Sequence, residues 1–505
     1  MKTKLKIYVL LGVILPLFIG CNSELDDLKP HDVLTTEALT STVKGLQQLT
    51  TTSYSMMYLP LSVGDIGKTG LTDVVFNIGE TKGNTVTFPQ EFDVVDGSVA
   101  NTQDAFYYVN SATNTDGLSN SAWELSYELI VNTNTVLEAI EKRSDVATNA
   151  TVKELKGTNL FLRAWSYFNL VRIFGRPYWD NPDTNLGVPL KLTNNPNDMP
   201  QRATVKECYD QIIADFKAAA ELLPETAAPN RTLANRYAAL GLLSRVYLYM
   251  GGSFSAPNAA SNQLAVDAAT SVINWAGASP LPDLDEATFN QEPTANKEFL
   301  WAYAMTNIAN SSWSNVGFNF YPYFGMGGEI GLSDEFLANI DQENDKRFLL
   351  YVGENENGIT TTLKYSGEWG LKKSGWGFYT INPEPLIRVG EVYLNRAEAY
   401  VKLGKNTEAL ADLNAIRVRS GLTALTGISG QALFNAIFEE RARELVCEGQ
   451  NGFDFFRNNL TMTRKYASYL PGNDITSISP TDNRVIMPIP IREVNLAQLK
   501  QNPGY

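Results

Sequence analysis

The aromatic residues in the middle of the chain are the side chains best suited to contact a ligand. Four of them lie close together among Ser, Asn and Gly residues: Trp313, Tyr321, Tyr323 and Phe324. Their spacing follows neither the helical period nor the alternation of a strand, so it is poor patterning for a hydrophobic core. We predict that at least two of these rings contact a ligand. The alternative is a small satellite core beneath a loop.

Further candidates of the same kind lie on either side of this segment. Trp369 and Trp376 stand among glycines and are weaker candidates for ligand contact. In the early part of the chain, Asp73 together with Phe76 or Phe88 is a candidate for closing the other side of the site.

The composition excludes several classes of chemistry. The chain of 505 residues has 41 Lys and Arg against 55 Asp and Glu, and its net charge of −14 disfavours nucleic acid as a partner. One histidine, His31, and three cysteines cannot supply a His-based triad beside a His metal site, or a Cys-rich zinc cluster. Cys208 and Cys447 fall on predicted helices and are interpreted as buried thiols, with a disulfide as the alternative.

The acidic residues are not patterned for catalysis or for a metal ion. Glu439 and Glu440 are neighbours on a predicted helix and point in different directions, which does not suit glycoside hydrolysis. Asp341, Glu343 and Asp345 alternate, but the Gly and the distal Glu of a calcium-binding loop are missing. We therefore predict a binding protein, not an enzyme, with no metal and no cofactor.

The N-terminal residues carry the features of an export signal. Lysines at positions 2, 4 and 6 precede an apolar run over 7–19, which is too short to span a bilayer and contains Pro16. The run ends in Leu-Phe-Ile-Gly-Cys, which resembles a bacterial lipobox. We predict a lipoprotein signal peptide over 1–20, lipidation at Cys21 and an acidic tether over 21–30. A plain secretory signal is the alternative.

The rest of the chain, 31–505, is predicted to be a single, mostly α-helical domain. Apolar residues recur at helical spacing in paired segments that are separated by short turns. In the segment 391–416, Ala397 and Ala399 allow close helix packing and Gly404 ends the first helix. This pairing resembles tetratricopeptide repeats. Other predicted helices cover 123–143, 152–174, 205–223 and 233–250.

Two regions interrupt the helical pattern. Residues at about 59–118 and 278–387 are rich in Gly, Asn, Thr and aromatic residues, and we predict small strands and long loops inserted on the helical frame. Within the second insertion, the apolar run 299–303 around Trp301 predicts a buried strand. Such insertions commonly carry binding surfaces, because a rigid scaffold holds them.

An ordered set of motifs makes the mature chain resemble the SusD/RagB family of outer-membrane nutrient-binding lipoproteins of Bacteroidetes. The motifs are Trp123 with Asn132 and Asn134, then 162–175, 388–400, 416–421, 440–457, 488–490 and 501–505. We predict that most of these residues build the frame. The predicted ion pairs are Arg388 with Glu391, Glu440 with Arg443, and Arg441 with Asp454.

The resemblance implies capture of an oligosaccharide or polysaccharide at the cell surface, and its delivery to a partner TonB-dependent, SusC-like transporter in the outer membrane. In the family, sugar rings lie against aromatic side chains of the early loop region and of the middle insertion. A flat ring matches the apolar C–H face of a sugar, while neighbouring polar groups bind its hydroxyls. The alternatives are a peptide-binding, RagB-like member and a tetratricopeptide scaffold that grips a protein partner.

Overall fold

The structure is a computed structural model, and it describes most of the chain from residue 35 onward. The described ranges are 35–57, 70–89, 97–225, 231–276, 281–285, 288–289, 296–303, 316–323, 326–365, 383–464 and 475–505. Within them, the side chains at 97–101, 318, 322–323 and 326–327 are not described. The predicted signal peptide, Cys21 and the tether lie outside the described residues.

Helices build the frame of the molecule. In chain order they are α1 (Thr36–Thr40), α2 (Val43–Met56), α3 (Leu71–Thr81), α4 (Gly97–Phe106), α5 (Leu118–Glu141), α6 (Ala150–Phe174), α7 (Val205–Leu222), α8 (Arg236–Met250), α9 (Ala259–Ala276), α10 (Val316–Phe320), α11 (Asp334–Asn339), α12 (Lys346–Tyr351), α13 (Val389–Lys402), α14 (Asn406–Arg419), α15 (Gly430–Glu444), α16 (Asn451–Arg457) and α17 (Ile491–Ala497). Short 3-10 turns cover Leu363–Tyr365 and Asn483–Val485.

The long helices begin and end where local sequence signals place them. A capping box starts α7: the hydroxyl of Thr204 accepts from the backbone N–H of Glu207, whose carboxylate accepts from the N–H of Thr204. Gly404, with a φ of +75°, follows α13 in the left-handed conformation that favours glycine. The predicted long helices agree with the structure to within a few residues. The prediction of a mostly helical, tetratricopeptide-like frame is therefore confirmed.

Consecutive helices pack against one another along the frame, as α6 does with α7, α8 with α9, and α13 with α14. Helix α13 is covered on two sides. Ala399 belongs to the largest hydrophobic cluster, whereas Ala397 belongs to a second cluster shared with α14 and α15. Neither alanine has exposed surface, so the small side chains let the helices approach closely.

The described strands form short antiparallel pairs. They are β1 (Val86–Thr87) with β7 (Gly331–Leu332), β2 (Leu186–Pro189) with β3 (Arg202–Thr204), β4 (Phe299–Tyr303) with β10 (Glu384–Arg388), β5 (Pro322–Tyr323) with β6 (Met326–Gly327), β8 (Val352–Glu354) with β9 (Thr360–Thr362), and β11 (Met462–Thr463) with β12 (Ser477–Ile478). Trp301 on β4 is 1% exposed, with its ring edge-on to Phe161 at 4.7 Å between centroids. The predicted buried strand is confirmed.

The prediction of strands and loops over 59–118 is wrong for the part that the structure describes. Helices α3 and α4 lie there, and the only described strand is β1. Every residue of α3 is buried, polar ones included. Its apolar residues Leu71, Val74, Val75 and Ile78 recur at helical spacing, so the sequence carries a signal for this helix that the prediction overlooked.

Two of the three predicted ion pairs and the predicted state of the cysteines are confirmed. Arg441 and Asp454 are 3.2 Å apart between guanidinium nitrogen and carboxylate oxygen, and both are buried. Arg443 and Glu440 are 2.9 Å apart on the same helix. Both cysteines in the described part of the chain, Cys208 and Cys447, are buried free thiols.

The predicted pair of Arg388 with Glu391 is wrong. Arg388 binds three other carboxylates, those of Glu298, Glu444 and Glu448, which come from the middle insertion, the end of α15 and the turn after it. Glu391 points the other way and binds Arg245 on α8. Tertiary contacts therefore override the local spacing of three residues along the helix.

Candidate functional site

Several of the predicted ligand-contacting rings lie outside the described residues. These are Trp313, Phe324, Trp369 and Trp376. The residues at which their segments join the frame are described, and they show where the candidate site is attached.

The ends of two of these segments meet at Glu384 on β10. In the β4–β10 ladder Glu384 is paired with Tyr303, the last described residue before 304–315. The Oε1 atom of Glu384 accepts a hydrogen bond at 3.0 Å from the backbone N–H of Val316, the first described residue after that segment. Residues 366–382 end just before β10. The segments that carry Trp313 and Trp376 therefore join the frame at the same place.

Helix α3 supplies the second attachment of α10. Asp73 Oδ1 accepts a hydrogen bond from Asn319 Nδ2 at 2.9 Å. Asp73 is 2% exposed, and burial raises the pKa of its carboxyl to about 7, although hydrogen bonds from Asn319 and Asn77 oppose the rise. This buried carboxyl therefore fixes α10 to helix α3.

Helix α3 is itself fixed against the turn that follows α15. Glu80 accepts hydrogen bonds from the backbone N–H groups of Cys447 and Gly449, at 3.0 and 2.9 Å. A Cβ atom at Gly79 would lie 2.0 Å from the carbonyl oxygen of Gly449, so only glycine permits this approach. The base of the candidate site is thus joined closely to the helical frame.

Three aromatic rings in mutual contact lie between α3 and α10. Phe320 and Tyr365 stack at 5.8 Å between ring centroids, and Phe76 meets both rings edge-on, at 5.9 and 6.4 Å. All three are buried, and Phe76 is 6% exposed. The hydroxyl of Tyr365 donates to the carbonyl of Cys447 at 2.8 Å. Phe76 thus supports the site from within, and its direct contact with a ligand stays a prediction.

The remaining predicted site residues lie at different depths. Tyr321 is half-buried, and its hydroxyl donates to the carbonyl of Thr362 at 2.9 Å. Tyr323 follows on β5, and its side chain lies outside the description. Phe88 is 5% exposed, with its ring edge-on to Phe106 at 5.1 Å between centroids. Among the predicted rings with a described side chain, Tyr321 has the most surface available for a ligand.

Sequence reasoning missed Glu384 and Asn319, which hold α10 in place. The available signal for Glu384 was an acidic residue between Pro383 and Pro385, directly before the apolar strand residues of β10. A cavity of about 40 Å³ lies beside it, and Arg172, Arg245 and Gln450 also line this cavity. Within the described residues, Glu384 Oε2 is buried without a hydrogen-bond partner.

A larger concave surface lies on the helical frame, and we call it the α5 groove. It has a volume of about 630 Å³ and is lined by α2, α5, the segment 189–200 and α17. Its rim carries two exposed apolar side chains, Met199 at 59% and Leu496 at 62% exposure. Acidic groups on its walls include Glu124 and Glu493. It shares no lining residue with the cavity beside Glu384.

The acidic run at 341–345 forms contacts within the protein. Asp345 is fully buried, caps α12 and binds Arg347 at 2.7 Å, while Asp341 accepts from the backbone N–H groups of Glu343 and Asn344. Across the described ranges, no group of three or more His, Cys, Asp or Glu side chains is arranged to hold a metal ion. None of the described helices is long and apolar enough to cross a membrane.

These features define a helical-repeat protein whose candidate binding site is carried by inserted segments on a fixed base. A family model described as "Starch-binding associating with outer membrane" matches residues 49–248, and the model of the SusD family matches residues 349–505. The chain belongs to the SusD/RagB family.

Similar proteins agree with this assignment. The starch-binding protein SusD of Bacteroides thetaiotaomicron is 30% identical over 193 residues, 35% of this chain, and the match spans 34% of that protein's length. A SusD superfamily structure from the same species superposes with a TM-score of 0.77 at 27% identity, covering 92% of this chain and all of that chain. A laminarin-binding SusD-like protein has the same fold, with a TM-score of 0.66 at 22% identity, covering 91% of this chain and 99% of that one.

Proposed function

We propose that the protein binds an oligosaccharide or polysaccharide at the cell surface, without cleaving it, and delivers it to a SusC-like TonB-dependent transporter. The observation that carries the proposal is that the segments bearing Trp313 and Trp376 join the frame at one place, at Glu384 and next to α10. The family description and the starch-binding and laminarin-binding relatives support a glycan as the ligand.

The chemistry of the proposed site matches a sugar. Trp313, Tyr321, Tyr323 and Phe324 provide flat apolar surfaces, and Trp376 provides another from the second segment. Sugar rings stack on such surfaces through their C–H faces, while side chains such as Asn and Ser bind their hydroxyls. Asp73 and Phe76 are buried and take part by fixing α10, which follows directly after the segment that carries Trp313.

Calorimetric titration tests the proposed ligand. Maltoheptaose, laminarihexaose and a mixed peptide digest are the probes, and chromatography of each mixture after incubation detects cleavage. We expect saturable binding of at least one of the two glycans and no cleavage products. Binding of peptides alone would support the RagB-like alternative and contradict the glycan proposal, and cleavage products would contradict a role restricted to binding.

A lipid anchor at Cys21 would hold the protein on the outer membrane. Removal of residues 1–20 takes away three lysines and no acidic residue, so the mature net charge of −17 gives no electrostatic attraction to an anionic membrane. Acyl chains contribute about 0.8 kcal/mol per buried methylene and can hold the protein without such attraction.

The α5 groove is the surface that we propose for contact with the transporter. Exposed apolar side chains around a concave surface are typical of protein interfaces, and Met199 and Leu496 provide them here. The carboxylates of Glu124 and Glu493 favour a partner segment that combines apolar side chains with a basic one. The same surface would serve a protein partner in the tetratricopeptide-scaffold alternative.

A further inference from the structure

Two buried carboxyl groups hold α10 near its two ends. Glu384 Oε1 accepts from the N–H of Val316, the first residue of the helix, at 3.0 Å. Asp73 Oδ1 accepts from Nδ2 of Asn319, the residue before its last, at 2.9 Å. The carboxyls come from α3 and β10, and they are 2% and 5% exposed. A helix of five residues has little stability of its own, so its position depends on these contacts and on the packing of Val316 and Phe320.

Neither carboxyl has a basic partner among the described residues. Charged and titratable side chains on the elements packed around the pair are engaged elsewhere. Lys364 and Arg388 bind Glu448, Arg245 binds Glu391, Arg172 binds Asn169 and Gln450, Glu80 binds the backbone at 447 and 449, and Tyr365 donates to the carbonyl of residue 447.

Burial therefore acts on both groups without compensation from a cation. It raises the pKa of Asp73 to about 7 and that of Glu384 to about 8, and for Glu384 the negative charge of Asp73 adds to the rise. Hydrogen bonds from Asn319 and from the N–H of Val316 oppose the rise, but they are too weak to cancel it. At mildly acidic pH both groups are neutral in the folded protein, and at alkaline pH both are ionised at buried positions.

We propose that Asp73 and Glu384 are positioning residues for the ligand loops, and that their hold on α10 depends on protons, so that α10 is held more firmly at acidic than at alkaline pH. The expected consequence is weaker glycan binding at alkaline pH, and this consequence rests on the proposed function. The hold itself follows from the two contacts and can be measured without a ligand.

The direction of the pH effect follows from the linkage between proton binding and the opening of α10. When α10 opens, both carboxyls meet water and return to ordinary pKa values of about 4. The closed state binds its protons more tightly, so raising the pH favours opening between about pH 4 and the raised values of the closed state, and the effect levels off above them. The opening equilibrium changes by up to about tenfold per pH unit for each group in that window.

Hydrogen exchange of the amides at 316–320 tests the hold on α10. The mature chain from residue 22 to 505 is measured at pH 5.5, 7.0 and 8.5, with rates corrected for the intrinsic pH dependence of exchange. We expect protection to fall by about tenfold or more from pH 5.5 to 8.5. Protection that does not change with pH would overturn the proposal.

The variants Asp73→Asn and Glu384→Gln keep the size of each side chain and remove its charge. Each should reduce the pH dependence of α10 protection, and the double variant should abolish it. Asp412→Asn is the matched control, because Asp412 is also a buried acid but lies on α14 and binds Arg396. It should leave the pH dependence intact. If α10 protection depends on pH as strongly as in the wild type in the folded double variant, or in both folded single variants, the proposal is overturned.

Titration with maltoheptaose and laminarihexaose over the same pH series separates this inference from the proposed function. Affinity for a bound glycan should fall at least threefold from pH 5.5 to 8.5 in the wild type and stay constant in the double variant. Absence of glycan binding at every pH would overturn the proposed function, while the exchange data would still decide the role of the carboxyl pair. Binding that is equally strong at all pH values would overturn the link between the pair and the loops.

Discussion

The guanidinium of Arg245 donates to both carboxylate oxygens of Glu391, at 2.6 and 2.5 Å, and each side chain is 3% exposed. The pair joins α8 to α13, and Arg245 also donates to the carbonyl of Leu386 on β10. One residue thus links two repeat helices of the frame to the strand that carries Glu384. Burial alone would raise the pKa of the Glu391 carboxyl, but Arg245 holds it below its ordinary value.

Replacing Arg245 by Met should destabilise the protein by about 3–5 kcal/mol, because it leaves a buried carboxylate without a partner. Urea unfolding followed by circular dichroism measures the change. The double variant Arg245→Met/Glu391→Leu should recover most of the loss, since an apolar pair of similar volume needs no desolvated charge. If the double variant is as unstable as the single one, the charge argument fails.

Trp313→Ala should weaken glycan binding by at least about tenfold, or roughly 1.4 kcal/mol, because a stacking surface for the sugar is lost. Trp275→Ala is the matched control: its ring stacks on Tyr237 at 4.0 Å on the helical frame and should not affect affinity. Calorimetry with whichever of maltoheptaose and laminarihexaose binds the wild type gives both values. Unchanged affinity in Trp313→Ala would remove this residue from the site.

Cys21→Ala should release the protein from membranes, since the acyl chains are attached to this thiol. Fractionation of cells that express the variant without a transporter partner measures the release. Cys208→Ala serves as the control, because Cys208 is a buried thiol of the folded domain and its loss should leave membrane attachment unchanged. Retention of Cys21→Ala in the membrane fraction would contradict lipidation at this position.

Leu496→Asp should reduce the amount of a co-expressed SusC-like transporter that copurifies with the protein by about tenfold, the effect of losing an apolar anchor worth ~1–2 kcal/mol. The substitution places a charge on the rim of the α5 groove, where Leu496 is 62% exposed. Val418→Asp is the control, because Val418 is 59% exposed on α14 and does not line the groove. Equal copurification of the two variants would exclude the groove as the contact surface.

Stability should fall as the pH drops below about 4, in part because Glu398 must then be protonated. Burial alone would raise the pKa of this carboxyl, but Arg457, Lys402 and Arg441 hold it well below its ordinary value of about 4.3. A lowered pKa in the folded state contributes stability that is present above the unfolded value and is lost as the pH falls. Urea midpoints between pH 3 and 6 should show this loss. Glu398→Gln should show a smaller one, and an identical pH profile would contradict the assignment.

The helical frame could be predicted in detail because its signals are local. Apolar residues at helical spacing, the capping box at Thr204 and the glycine at 404 act within one or two turns of the chain. Helix α3 was not predicted although Leu71, Val74, Val75 and Ile78 recur at helical spacing, because the surrounding region is rich in Gly, Asn and Thr and was interpreted as strands and loops.

The candidate site could be predicted only in part. Aromatic residues in polar surroundings indicate ligand contact, but they do not show what supports them. Asp73 and Phe76 were predicted at the site. In the structure both contact α10, Asp73 through a hydrogen bond with Asn319 and Phe76 through ring contact with Phe320. Glu384 was not predicted, because its partner Val316 lies 68 residues away in the chain. A contact between residues so far apart in the chain produces no periodic pattern in the sequence.

The amino-acid sequence by itself determined the frame of paired helices, and it predicts an export signal and a composition that disfavours metal and catalytic chemistry, because these depend on neighbours along the chain or on residue counts. Only the tertiary structure decided that Arg388 binds Glu298, Glu444 and Glu448 instead of Glu391, and that two acidic side chains from distant elements meet at α10. Burial and the distance between charges set the energies of these contacts, and both quantities exist only once the chain has folded.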